Sequence, residues 1–251
     1  MAIFSDGAQP GPAGAAAPRI FAGSPQAYLY RNQRPTLPQA LVVHQALARA
    51  EQVEERDRFA LARIVGWLNR AGLYQTLLTE WLPPICQSTD PQTKAEALGQ
   101  TGKQYLHIGG YDIALKYLEQ SLKISQDIGD KSGEGTTLNN ISQIYDARGD
   151  YETALKYLEQ SLKIRQDIGD VAGLCATLFN MGHIHWQNEE PQQALSAWIT
   201  VYRLASQINL AQALKALAGL ADSLGLEGGL AGWARLAEQA GQSPGDSEKP
   251  V

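Results

Sequence analysis

His183 and His185 stand two residues apart in GHIHW, and a close histidine pair is the first thing to test as a metal grip. On a helix two steps turn the chain by roughly 200°, so the two imidazoles leave opposite faces and cannot hold one ion together. GQTGKQ, residues 99–104, has the outline of a phosphate loop, but Ala97 stands where its first glycine belongs and Gln104 where a Ser or Thr should follow Lys103. Cys86 and Cys175 are the only cysteines and neither has a CxxC partner, so both read as buried, inert thiols. No acidic pair has a defensible geometry. The residues therefore supply no catalytic set, no metal site and no cofactor site. What remains is a series of amides: Gln100, Asn140 and Asn180 recur at a step of 40 residues, with Gln143 beside them. An amide side chain both donates and accepts, which matches the N–H and C=O groups of an extended peptide backbone.

The elements that carry these amides repeat at the same step. Residues 114–130 read ALKYLEQSLKISQDIGD and residues 154–170 read ALKYLEQSLKIRQDIGD, differing only at Ser125/Arg165. The 40-residue offset also relates Leu98, Leu138 and Leu178, and Ala114, Ala154 and Ala194. A period of this size marks a solenoid, whose units bury their apolar faces only by stacking. Leu138, Ile141, Ile144 and Tyr145 form a helical stripe. Gly149 can close that helix, Asp150 can cap the next, and Tyr151, Ala154, Leu155, Leu158 and Leu162 form a second stripe. Each unit is therefore expected to be helix–turn–helix, with Pro191 at the start of a second helix, where its missing N–H is tolerated. Gly102, Ser142 and Gly182 are small residues expected to receive the second helix of the same unit.

The pattern of Leu138, Ile141, Ser142, Tyr145, Gly149, Tyr151, Ala154, Leu158 and Ser161 resembles the tetratricopeptide repeats. The first copy matches with Leu98, Thr101, Gly102, Tyr105, Gly109, Tyr111, Ala114, Leu118 and Ser121. The third keeps Leu178, Met181, Gly182, Ala194 and Trp198 but departs at His185, Glu189, Pro191 and Val201. The longer, 40-residue form is similar to the repeats of kinesin light chains, polarity adaptors and bacterial multi-repeat proteins. The resemblance implies an all-α solenoid of about five helix pairs wound as a right-handed superhelix, whose first helices line a concave groove. It places Gly99, Asn139 and Phe179, then Gln100, Asn140 and Asn180, then Lys103, Gln143 and His183 on that groove, with Trp186 further along. In related adaptors groove asparagines contact the backbone of bound peptides. The matching positions here are Asn140 and Asn180, with Gln100 conservative. Phe179 and Trp186 would add an apolar anchor and Lys103 a carboxylate contact.

Outside the three strict units, residues 1–35 are rich in Ala, Gly and Pro and read as a disordered or loosely docked lead-in without the features of a signal peptide. Residues 36–92 read as a degenerate N-terminal cap, with Leu41, Val42, Gln45, Ala46 and Leu47 along one side of a helix and Pro83-Pro84 as a helix break. Residues 93–210 hold the three repeats, 211–240 a C-terminal cap closed by Leu217, Leu220, Leu224, Trp233 and Leu236, and 241–251 a flexible tail. A net charge of −5 and a pI near 5.4 offer no basic field for nucleic acid or anionic membrane. The paucity of cysteine points to a reducing, cytoplasmic setting. The expected function is a non-enzymatic scaffold that binds an extended peptide or a partner's tail in the groove. The alternative is a regulatory sensor whose groove takes a small signal or signal peptide and changes superhelical pitch. Oligomeric state and partner identity are not encoded in any motif.

Overall fold

The computed structural model describes residues 37–242, and every regular element among them is helical. The chain divides into two compact units between Ala71 and Gly72. The stretch expected to form one N-terminal cap, residues 36–92, runs across that division.

In the first unit, α1 (Leu37–Arg49) is followed by α2 (Val53–Phe59), a π-helical stretch (Ala60–Val65) and α3 (Gly66–Arg70). The expected face of α1 needs correcting. Its buried residues are Ala40, Val43 and Leu47, whereas Val42 is 55% exposed. The run Leu41-Val42-Val43 offers apolar side chains around more than half the helix, so periodicity alone could not choose the line that meets Phe59, Leu61, Ile64, Val65 and Leu68 in the core.

The second unit opens with α4 (Tyr74–Thr76), a π-helical stretch (Leu77–Trp81) and α5 (Leu82–Ile85). Pro83 and Pro84 do not end the helix as expected; they occupy the first turn of α5. Neither has an N–H to donate to the preceding turn, and the chain arrives there in wider turns, with the Leu82 N–H donating to the carbonyl of Leu77.

Eight helices follow. They are α6 (Pro91–His107), α7 (Tyr111–Asp127), α8 (Lys131–Ala147), α9 (Tyr151–Asp167), α10 (Val171–Gln187), α11 (Pro191–Gln207), α12 (Ala211–Ser223) and α13 (Leu230–Gln242). Helices α6/α7, α8/α9 and α10/α11 pack as hairpins, and α7 and α9 each also pack on the first helix of the next hairpin. The first helices α6, α8 and α10 touch in succession. The fold is an all-α solenoid.

Local chemistry sets the helix starts. Asp90, Asp130, Asp150 and Asp170 accept from the backbone N–H of Thr93 (3.1 Å), Gly133 (2.9 Å), Thr153 (3.1 Å) and Gly173 (2.9 Å), capping α6, α8, α9 and α10. Gly149 closes α8 at a φ of 76°, and the third hairpin makes the same turn with Glu189 at 60°.

Packing within a hairpin depends on the small residues. Ala114, Ala154 and Ala194 are fully buried. A Cβ on Gly102 would lie 2.6 Å from Cγ of Leu118, and one on Gly182 would lie 2.3 Å from Nε1 of Trp198. A buried serine ties together the two helices of each of the first two hairpins and reaches the hairpin that follows. Ser121 donates to the carbonyl of Ala95 (2.7 Å) and Ser161 to that of Gly135 (2.8 Å), each within 3.3 Å of a threonine hydroxyl, Thr137 or Thr177, on the next hairpin. One step further Val201 on α11 and Leu217 on α12 take these places and the contact becomes apolar. Trp198 on α11 and Trp233 on α13 are fully buried in that cluster and donate to the carbonyls of Phe179 (3.2 Å) and Leu217 (2.8 Å).

Candidate functional site

The expected groove residues lie on α6, α8 and α10, and the structure sorts them into three groups. Gln100 and Lys103 on α6 and Asn140 on α8 line one open cavity of about 380 Å³ between these two first helices. Among the described residues no hydrogen bond or ion pair engages their side chains. Asn139 and Asn180 instead engage each other, with Nδ2 of Asn180 donating to Oδ1 of Asn139 at 3.1 Å, and Gln143 leans back on the carbonyl of Asn139 at 3.4 Å. Phe179, His183 and Trp186 belong to an aromatic cluster around Trp198. His183 meets Phe179 edge-on at 4.7 Å between ring centroids and Trp198 at 5.5 Å, while Trp186 lies 5.9 Å from Trp198 and stays 45% exposed. His183 is held below the usual imidazole range by burial, with Asp146 opposing, and burial raises Asp146. His185 is separate from all of these and pairs with Glu190 at 2.6 Å.

The three inter-hairpin intervals are equivalent positions with different contents. The cavity between α6 and α8 is lined by Ala95, Glu96, Gly99, Gln100, Asp130, Gly133 and Thr136, among others. A second cavity, of about 240 Å³, lies between α10 and α12, lined by Cys175, Ala176, Phe179, Asn180, Leu210, Ala213 and Ala216. Each of these seven stands 80 residues after its counterpart, so the two are one site seen two repeats apart, polar in the first case and apolar in the second.

The interval between them is filled. Arg165, 7% exposed, lies across it, donating to Asp170 and, at 2.5 Å, to the hydroxyl of Thr136. Its path needs Gly135 and Gly173, since a Cβ at either would come within 2.9 Å of the guanidinium Nε. Ser125 is the residue at that place one repeat earlier, and with it the space opens. Gly99 helps too, because it cannot make the bond to Asn140 that Asn139 makes to Asn180. The lone difference in the 17-residue duplication was visible in the sequence. What it filled was not, because Gly135 becomes meaningful only when seen against Arg165 from the neighbouring helix.

Other candidates are weaker. Cys86 and Cys175 are buried, and burial raises both thiols. Residues 99–104 lie inside α6 and form no phosphate loop. Among the described residues no group of three or more His, Cys, Asp or Glu side chains could hold a metal, and no helix is long and apolar enough to cross a membrane.

Stacked helical hairpins with matching small-residue seats define a helix-repeat protein, and comparison with known proteins specifies the kind. The tetratricopeptide-repeat family model matches residues 93–167, so this segment carries tetratricopeptide repeats. No curated protein matches the sequence. Among solved structures, BtubC (BKLC) from P. vanneervenii is similar at a TM-score of 0.51 and 16% identity, over 90% of this chain and 89% of that one. Rap protein complexed with competence and sporulation factor is similar at a TM-score of 0.56 and 16% identity, over 89% of this chain. This chain spans 60% of the Rap protein's length.

Proposed function

We propose that this protein is a non-catalytic interaction scaffold whose first-helix face binds an extended peptide or a partner's tail. The observation that supports this reading is the unengaged set on one wall: Gln100, Lys103 and Asn140 converge on an open cavity of about 380 Å³ with no partner among the described residues. Polar side chains on an exposed helix face ordinarily reach water. Here they gather where two helices leave a recess large enough for a side chain, and amides at that edge can pair with a passing backbone. The apolar recess beside Phe179 would take a hydrophobic side chain of the same peptide. First helices pack roughly 8–10 Å apart, so two intervals cover roughly 16–20 Å. An extended strand crosses that distance in about five or six residues. The second reading, a sensor for a signal peptide, draws on the likeness to Rap protein, whose structure is in complex with competence and sporulation factor.

The test is to pan a random-sequence peptide library against the full chain and map each binder by amide chemical shifts. Binders that perturb α6, α8 and α10 are expected. Binders that perturb only the second helices, or a library that yields none, would overturn the proposal. A ligand-dependent change in small-angle scattering would favour the sensor over the rigid scaffold.

A further inference from the structure

The duplicated segment contains its own template for a ligand. In the interval between α8 and α10, one guanidinium, that of Arg165, lies between the Asp170 carboxylate and the Thr136 hydroxyl. One repeat earlier both acceptors have counterparts and the guanidinium does not. Asp130 stands for Asp170 and uses Oδ1 to cap α8 through the Gly133 N–H at 2.9 Å. Asp170 likewise caps α10 with Oδ1 and gives Oδ2 to Arg165, whereas Oδ2 of Asp130 has no partner among the described residues. Glu96 stands for Thr136, a full carboxylate where the filled interval has a hydroxyl. Ser125 stands for Arg165, and a cavity of about 380 Å³ lies where the guanidinium would be.

We propose that this cavity receives an arginine side chain presented by the bound partner, its guanidinium taking between Asp130 and Glu96 the position that Arg165 takes between Asp170 and Thr136. The proposal rests on the peptide-binding reading of the same face and adds the chemistry of one anchor. Two observations carry it independently of the acidic pair: the open volume, and the occupied copy of the site 40 residues on. Ala95, in place of Gly135, narrows the route by which the Arg165 stem arrives from the second helix. A partner's arginine enters from the opposite, open side past Gln100 and Asn140, so that Cβ does not obstruct it. A guanidinium satisfies two acceptors on divergent helices at once, which a compact ammonium does less well.

The experiment uses the full-length chain and defined probes, N-acetyl-arginine methylamide and its neutral citrulline counterpart, followed by the amide shifts of Gly133 and Thr136. Saturable shifts are expected with the arginine probe, with at least a tenfold weaker response to citrulline. Ala95→Gly with Ser125→Arg copies the filled interval into the empty one and should abolish the response. Glu96→Gln, a change at the cavity rim, should weaken it about tenfold and keeps the test open if the double variant folds poorly. Equal responses to both probes, an unchanged response in either variant, or no response would overturn the arginine pocket. The two readings separate cleanly. Library peptides that bind α6, α8 and α10 without dependence on Glu96 would remove the arginine anchor alone. A saturable arginine response with no peptide held on this face would remove the peptide reading and leave an arginine site.

Discussion

Asp170→Ala should be among the most destabilising single changes on the first-helix face, and the structure explains why. The carboxylate does two jobs: Oδ1 caps α10 through the Gly173 N–H, and Oδ2 receives Arg165. Losing the cap costs about 1 kcal/mol. Losing the ion pair leaves a guanidinium whose side chain is 8% exposed and whose Nε already has no partner among the described residues. Stranding a buried charge in this way costs about 3–5 kcal/mol. The background Gly135→Ala with Arg165→Ser rebuilds the first interval in the second, with no charge to strand, so there Asp170→Ala should cost only the cap. Equilibrium urea denaturation of the four proteins gives the coupling, expected at about 2–4 kcal/mol. The pH dependence has a definite sign. The Gly173 N–H first, and Arg165 after it, depress the Asp170 carboxyl below its ordinary range. Its contribution is therefore complete above the unfolded-state pKa and is lost as pH falls through the lower folded value. An Asp170→Ala penalty equal in both backgrounds would refute the reasoning.

Further outcomes follow from the packing. Gly182→Ala should cost about 1–3 kcal/mol, because its Cβ meets a fully buried indole tied to the Phe179 carbonyl; thermal melts should show Trp198→Leu with Gly182→Ser, the pairing of the second hairpin, relieving part of that cost. Gln104 is fully buried where the next repeats have Ile144 and Ile184, and among the described residues neither amide atom has a partner, so Gln104→Ile should stabilise the chain by about 1–3 kcal/mol in the same melts. Burial first, and Asp130 after it, raise the Glu96 carboxyl above its usual range, and Lys103 lines the same cavity. Binding of the arginine probe should therefore strengthen as pH rises through that raised value and fade below it at a higher pH than an ordinary carboxylate would give. A binding curve flat across that window would count against Glu96.

Much of the fold was legible because the sequence states it twice. The step of 40 residues, the alanine seats, the left-handed glycine and the aspartate caps are all local or periodic signals, and each reappears in the helices. The α1 face is not legible because Leu41, Val42 and Val43 blur the apolar stripe, nor is the place of the prolines, because a π-helical approach leaves no periodic trace. The candidate site was half legible. The 40-residue step leads to Gln100, Asn140 and Lys103, and they share one cavity. The same stepping groups Asn180 with Asn140, yet Asn180 bonds to Asn139, while Asn140 stays open because Gly99 lacks the side chain that Asn139 has. Arg165 as a filler could not be read at all, since its contacts lie on two helices beyond its own.

The most direct measurement is a calorimetric titration of a library-selected peptide into the full chain and into Gln100→Ala with Asn140→Ala. Among the described residues neither amide has a partner, so the double change should leave the melting temperature nearly unmoved. If they hold the peptide backbone, affinity should fall at least tenfold, a loss of about 1.4 kcal/mol. Affinity unchanged within twofold, with the fold intact, would contradict the account.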